Sequence, residues 1–154
     1  SNGEINYRLK GIHAKVSVTW DFQAPEGTGD THFSVMRGTK ASVIIKQGKE
    51  QNFKPVLYIE PAAGTDMKSF ESAIMDDLKQ INDKYPGVEL KKNSTGWEVI
   101  IPDKYKVGHE DHFAQVAKAY FQYLRDGKLP AWEVPNMLAK YYTTTKAREV
   151  ALGK

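Results

Sequence analysis

Residues 13–22, HAKVSVTWDF, alternate without a break. Ala14, Val16, Val18, Trp20 and Phe22 are apolar, whereas His13, Lys15, Ser17, Thr19 and Asp21 are polar. Successive side chains of a strand point to opposite faces of a sheet, so this stretch reads as a half-buried strand. The loop that follows, QAPEGTGD, holds one Pro, two Gly and two acids, which is turn chemistry. Apolar-rich runs return at 31–36 and 41–46, separated by the short turn Arg37-Gly38-Thr39. Three consecutive strands with short connections are most simply an antiparallel meander.

The rest of the chain supplies further strands and then helices. Residues 5–9 alternate and read as a first strand. Residues 53–60 carry Val56, Leu57, Tyr58 and Ile59, apolar on both faces, as a strand in the middle of a sheet does. Thr65 or Asp66 caps a helix whose Met67, Phe70, Ile74, Leu78, Ile81 and Tyr85 recur at three- and four-residue steps. Pro86-Gly87 ends it. Residues 88–91 and 97–101, joined by KKNSTG, read as a hairpin. A second helix opens at Gly108-His109, buries Phe113, Val116, Ala117, Tyr120, Phe121 and Leu124, and stops at Gly127. Residues 129–135, LPAWEVP, form a rigid connection, because two prolines restrict it. A last helix runs from Asn136 to Leu152. Its Thr143-Thr144-Thr145 run loses rotamer freedom in a helix and predicts a helix held by packing. Strands come first and helices later, so the class is α+β. The expected architecture is a mostly antiparallel open sheet of about six to seven strands with about three helices packed on one face, in a single domain over residues 1–154.

Composition excludes several functions. The 154 residues include no cysteine, which rules out disulfides, thiolate metal sites and thiol nucleophiles, and leaves both cytoplasm and periplasm open. Hydrophobic residues make up 40% and charged residues 27%, as in a folded soluble domain. No run approaches the length of a membrane helix. The net charge of +3 is spread along the chain without a basic cluster, which argues against nucleic acid as a partner. Ser1-Asn2 reads as a cloning remnant, and the chain then enters strand-like sequence at once, as a piece of a longer protein would.

Two motifs and one cluster of side chains could carry chemistry. HEDH places His109 and His112 on one side of a helix, but the zinc-protease helix spaces its histidines by four, and no third ligand is apparent. It reads as a solvated helix start with Glu110 and Asp111 favoured by the helix dipole, so no metal is expected. The loop GTGD at 27–30 is neither a phosphate loop nor a dinucleotide fingerprint, since no six-residue glycine spacing leads into a helix. Around it lie Asp30, His32, Arg37 and Lys40. Asp30 and His32 share a face, but Arg37 is at the far end of the strand, so these residues do not make a catalytic triad.

Three long segments, WDFQAPEGTGDTHFSVMRGTKA, GHEDHF and LPAWEVPNMLAKYYTTTKA, together resemble the C-terminal domain of a group of bacterial oxidoreductases related to the glucose–fructose oxidoreductase and inositol dehydrogenase superfamily. The resemblance extends from about Gly3 to Leu152. It implies a parent whose N-terminal Rossmann domain holds NAD or NADP, with no cofactor in this fragment. It also implies a C-terminal sheet that helps form the cleft for a small sugar-like substrate and the interface of a homo-oligomer. The superfamily's catalytic Lys in a Glu-Lys-Pro segment and its Asp/His pair have no counterpart here. Lys54-Pro55 follows Phe53, so no catalytic residue is assigned. Binding residues concentrate on loops and restricted segments of a rigid scaffold. Asp30 and His32 are therefore expected to hydrogen-bond a polyol hydroxyl, and Trp132 to stack on a sugar face unless it plugs the core. The leading expectation is a substrate-binding and oligomerisation domain, inactive in isolation. A carbohydrate- or ligand-binding module using the open sheet face is the alternative, and a metal hydrolase built on HEDH is the third.

Overall fold

The computed structural model describes residues 2–20 and 25–153. Among them the order is β1 (Gly3–Leu9), β2 (Ile12–Val18), β3 (His32–Arg37), β4 (Ala41–Gln47), β5 (Val56–Pro61), α1 (Met67–Lys84), β6 (Glu89–Lys92), β7 (Trp97–Ile100), α2 (His109–Asp126) and α3 (Glu133–Ala151). The fold is α+β with open, wholly antiparallel sheets, as the sequence predicts. The strands divide between a two-stranded sheet, β1-β2, and a five-stranded sheet in the order β3-β4-β5-β7-β6. The chain itself falls into two compact units: Ser1–Gln23 with Gly108–Lys154, here the hairpin unit, and Ala24–Val107, here the sheet unit.

In the sheet unit β3, β4 and β5 form a meander, and β5 lies in the middle with β4 and β7 as neighbours. That is the position its two apolar faces require. The core is Trp97, which is 2% exposed, packed against Phe70 and Ile74 of α1. The rings of Phe70 and Trp97 meet at 5.6 Å and a tilt of 48°. Ala41, Ile59 and Leu90 complete the cluster from three other strands. Burying one large aromatic side chain removes roughly 150–250 Å² from water, about 4–6 kcal/mol of driving force before entropy is counted. Gly96 lets β7 reach β5: a Cβ there would overlap the carbonyl oxygen of Ile59 and stand 3.1 Å from Glu60 Cα. The turn before it is closed by Asn93, whose Oδ1 accepts from the backbone N–H groups of Thr95 at 2.9 Å and Gly96 at 2.8 Å.

Both ends of α1 are fixed by side chains. Asp66 is the N-cap, its Oδ2 accepting from Ser69 N at 3.2 Å. Hydrogen bonds from Ser69, first its side chain and then its backbone, hold the Asp66 carboxyl below the usual aspartate range. At the other end Asn82 Nδ2 donates to the Leu78 and Val88 carbonyls, at 3.1 and 2.8 Å, while its Oδ1 accepts from Gly87 N at 2.8 Å. The helix therefore runs into β6 through a short, pinned turn. Of its expected buried face only Phe70 and Ile74 are buried, and Met67, Ile81 and Tyr85 are each more than two-fifths exposed.

The hairpin unit corrects several expectations. The strand expected at 13–22 ends at Val18, and its last two residues, Asp21 and Phe22, lie outside the described residues with Gln23 and Ala24 of the following loop. It pairs with β1 and not with β3, so the 13–46 meander does not form. Its alternation is nevertheless strict. Ile5↔Val16, Tyr7↔Ala14 and Leu9↔Ile12 put apolar residues on one side of the ribbon, and Glu4↔Ser17, Asn6↔Lys15 and Arg8↔His13 put polar ones on the other. Trp20 lies beyond β2, its N–H donating to Asn2 Oδ1 at 2.7 Å.

The expected buried stripe of α2 is exposed, with Phe113, Val116, Tyr120, Phe121 and Leu124 each more than half open to solvent. All the buried hydrophobic side chains among the described residues, Ile44, Phe70, Ile74, Val88 and Trp97, belong to the sheet unit. The last helix starts at Glu133 rather than Asn136, because Pro135 fits the first turn of a helix, where its missing N–H is not needed. Its threonines are accommodated by back-bonding. Thr143 Oγ1 donates to Ala139 O at 2.7 Å and Thr144 Oγ1 to Lys140 O at 3.1 Å, so packing is not what keeps Thr144, which is exposed.

Two outcomes follow for stability. Trp97→Ala lowers the unfolding free energy by about 3–5 kcal/mol, and Gly96→Ala is also strongly destabilising because the atoms it meets are backbone; urea denaturation followed by Trp fluorescence or circular dichroism measures both. Asp66 ionises more easily folded than unfolded, so its contribution is present above the ordinary aspartate pKa and is lost as pH falls through the lower folded value. The gap in Tm between the native chain and Asp66→Ala is thus full at neutral pH and narrows in acid, as thermal melts across that range will show.

Candidate functional site

The loop at residues 25–30 opens with a tight turn. Thr28 donates to Pro25 O from its N–H at 3.2 Å and from its hydroxyl at 2.6 Å, and Gly27 takes the left-handed φ of 78° that the turn requires. The loop then delivers Asp30 to the start of β3, where His32 stands opposite Gln47 of β4. Asp30 and His32 are both exposed.

Gln47 ties this corner together. Its Nε2 donates to Asp30 O at 3.0 Å and to Phe53 O at 3.1 Å, bridging the 25–30 loop and the β4–β5 connection. That connection is itself unusual. By sequence residues 53–55 begin a strand, but β5 starts at Val56, and Asn52 and Phe53 are left-handed, with φ of 52° and 57°. An aromatic residue in this region is strained. Phe53 is kept there by its N–H, which donates to Gly48 O at 2.8 Å, and by Gly29, where a Cβ would come within 2.9 Å of the Phe53 Cβ. Only a glycine at 29 lets the loop lie against that ring. Gln47 and Phe53 carry no local motif, and the one sequence signal for Gln47 is its place opposite His32 once the strands are registered.

Within the sheet unit, Arg37 and Lys40 lie apart from this corner. Arg37 is at the far end of β3, opposite Ser42, as the sequence predicts. Lys40 contributes its backbone, its carbonyl accepting from Ala62 N at 2.8 Å and Thr65 Oγ1 at 3.0 Å. Trp132 belongs to the hairpin unit, at the N-terminus of α3, and is 57% exposed. It does not plug a core; the buried tryptophan is Trp97. His109 opens α2 with its ring edge-on to Phe113 at 4.9 Å, and Glu110 and Asp111 occupy the first turn. Among the described residues no three His, Asp or Glu side chains gather as metal ligands would.

At the β5–α1 junction a strand runs through a short glycine-containing loop into a helix. The loop holds one glycine, Gly64, and the helix N-terminus that a pyrophosphate would occupy is already filled by the Asp66 carboxylate. The surface at residues 25–32 offers hydrogen-bonding groups on a braced loop: the carboxylates of Glu26 and Asp30, the hydroxyls of Thr28 and Thr31 and the imidazole of His32.

No curated protein matches the chain. A solved structure does: a protein of Parabacteroides merdae ATCC 43184, described as "a putative oxidoreductase", is 53% identical with a TM-score of 0.95 over 99% of this chain. This chain spans 35% of that protein's length. No helix among the described residues is long and apolar enough to cross a membrane. The family described as "Putative oxidoreductase C terminal domain" matches residues 1–152, and the chain belongs to it.

Proposed function

We propose that this chain is the substrate-binding and assembly part of a NAD- or NADP-dependent oxidoreductase acting on a sugar or polyol. The observation that carries the reading is the family match over residues 1–152, together with the resemblance to sugar and inositol oxidoreductases in the segments quoted above. A C-terminal domain implies an N-terminal partner, and in this reading that partner is a Rossmann domain holding the nicotinamide. The hydride chemistry is supplied there. This chain contributes no catalytic residue and is inactive alone.

Its own part is recognition. The Asp30 carboxylate accepts hydrogen bonds from sugar hydroxyls, and the His32 imidazole can donate or accept one. The bracing by Gln47 and Phe53 supports the assignment, because a loop fixed before binding loses less entropy when a ligand arrives. The exposed indole of Trp132 offers a flat apolar face of the kind that stacks on sugar C–H groups. Homo-oligomer formation through the five-stranded sheet belongs to the same reading. The side of that sheet opposite Trp97 carries Phe33, which is exposed, with Val35 and Tyr58.

In the full-length parent, assayed for nicotinamide reduction with a panel including D-glucose and myo-inositol, Asp30→Ala and His32→Ala raise KM by roughly three- to tenfold, the size of one lost hydrogen bond each. The thermal transition stays unchanged. Unaltered kinetics in both variants would remove this loop from the site. Titration of the isolated chain with NADH, followed by its fluorescence, gives no saturable binding; a micromolar Kd would place a cofactor site in this chain and overturn the division of labour.

A further inference from the structure

The two units differ in how they satisfy their apolar residues. The sheet unit closes a core around Trp97, whereas the hairpin unit buries no hydrophobic side chain among its described residues. Yet its sequence is patterned for burial. The β1–β2 ribbon segregates its side chains completely, and α2 carries a continuous stripe through Phe113, Val116, Tyr120, Phe121 and Leu124. A lone two-stranded hairpin is marginal in water and needs a further strand or a helix on its apolar side. Its polar side asks for nothing more: Lys15 Nζ pairs with Glu4 at 2.6 Å, Asn6 Nδ2 donates to Glu4 Oε1 at 2.9 Å, and Arg8 Nε donates to His13 Nε2 at 2.8 Å. Exposed apolar surface on this scale marks an interface.

We propose that the apolar side of the β1–β2 hairpin and the apolar stripe of α2 are the docking surface for the N-terminal part of the parent polypeptide. The inference rests on the reading of this chain as the C-terminal portion of a longer oxidoreductase. Most of the matched relative lies outside this region, since the chain spans 35% of its length, and the family description places the missing portion before Gly3. The hairpin is the first element of the region, so that portion is covalently joined to it. A tethered partner is present at a high effective concentration, whereas a second copy arrives by diffusion. The occupant is therefore the preceding part of the same polypeptide, presenting an apolar face to Val16 and Ile12 and to Val116, Tyr120 and Phe121.

Photocrosslinking in the full-length parent tests this. The photoreactive residue p-benzoylphenylalanine is placed at Val16, at Phe121 or, as a control on the polar side of α2, at Lys118, and products are mapped by mass spectrometry in a mixture of isotopically light and heavy chains. The expected result is a crosslink from positions 16 and 121 to peptides preceding Gly3 of the same chain, lost at position 118. Crosslinks to residues 25–107, crosslinks between light and heavy chains, or no crosslink at either position overturn the proposal. Sugar- or polyol-dependent nicotinamide reduction by the native parent is measured alongside. Activity without the expected crosslink refutes the docking surface and leaves the functional reading standing, and the reverse result does the opposite.

Discussion

The contact between Trp97 and the Phe70–Ile74 face of α1 is the one on which the sheet unit depends. It joins a strand late in the sequence to the helix that precedes it, and it requires β7 to lie tightly beside β5. Gly96 permits that approach because it has no Cβ to strike the Ile59 carbonyl. Asn82 and Asn93 then fix the two turns on either side of β6, so that the helix and the β6–β7 hairpin meet in a single register. Hydrophobic burial supplies the driving force, and a few side-chain amides determine which geometry it selects.

Much of this was legible locally. Asp66 before an amphipathic run, Pro86-Gly87 after it, and an asparagine–glycine turn between two short strands are signals contained within a few residues. Partnership was not legible. The alternation of residues 13–18 states that one face is apolar, but nothing in it says whether the neighbouring strand is β1 or β3; the nearer hairpin prevailed because Lys10 and Gly11, with φ of 49° and 81°, close a two-residue turn. The stripe of α2 likewise reads as a buried face, and nothing in its spacing says that the chain itself leaves it exposed. Phe53 misled for a different reason. Its aromatic ring favours a strand, and a local hydrogen bond from its N–H to Gly48 O, across the turn, overrides that preference.

Asp30, His32 and Trp132 stand out in the sequence as loop or restricted-segment residues, and the structure puts all three at the surface. What organises the first two was invisible. Gln47 is an ordinary strand residue until β3 and β4 are registered, and the strain at Phe53 has no compositional signature. The exposure of Asp30, His32 and Trp132 was thus open to sequence reading, and the bracing of the loop was not.

The Gln47 hydrogen bonds have an evolutionary consequence. The amide grips two backbone carbonyls, those of Asp30 and Phe53, and makes no use of either side chain. Every residue type offers a carbonyl at those positions. Side chains at 30 and 32 can therefore be exchanged over generations without rebuilding the loop, whereas insertions or deletions between Gly29 and His32 would pull the Asp30 carbonyl out of reach. The geometry of this corner therefore constrains the length of the loop and leaves its side chains free to vary.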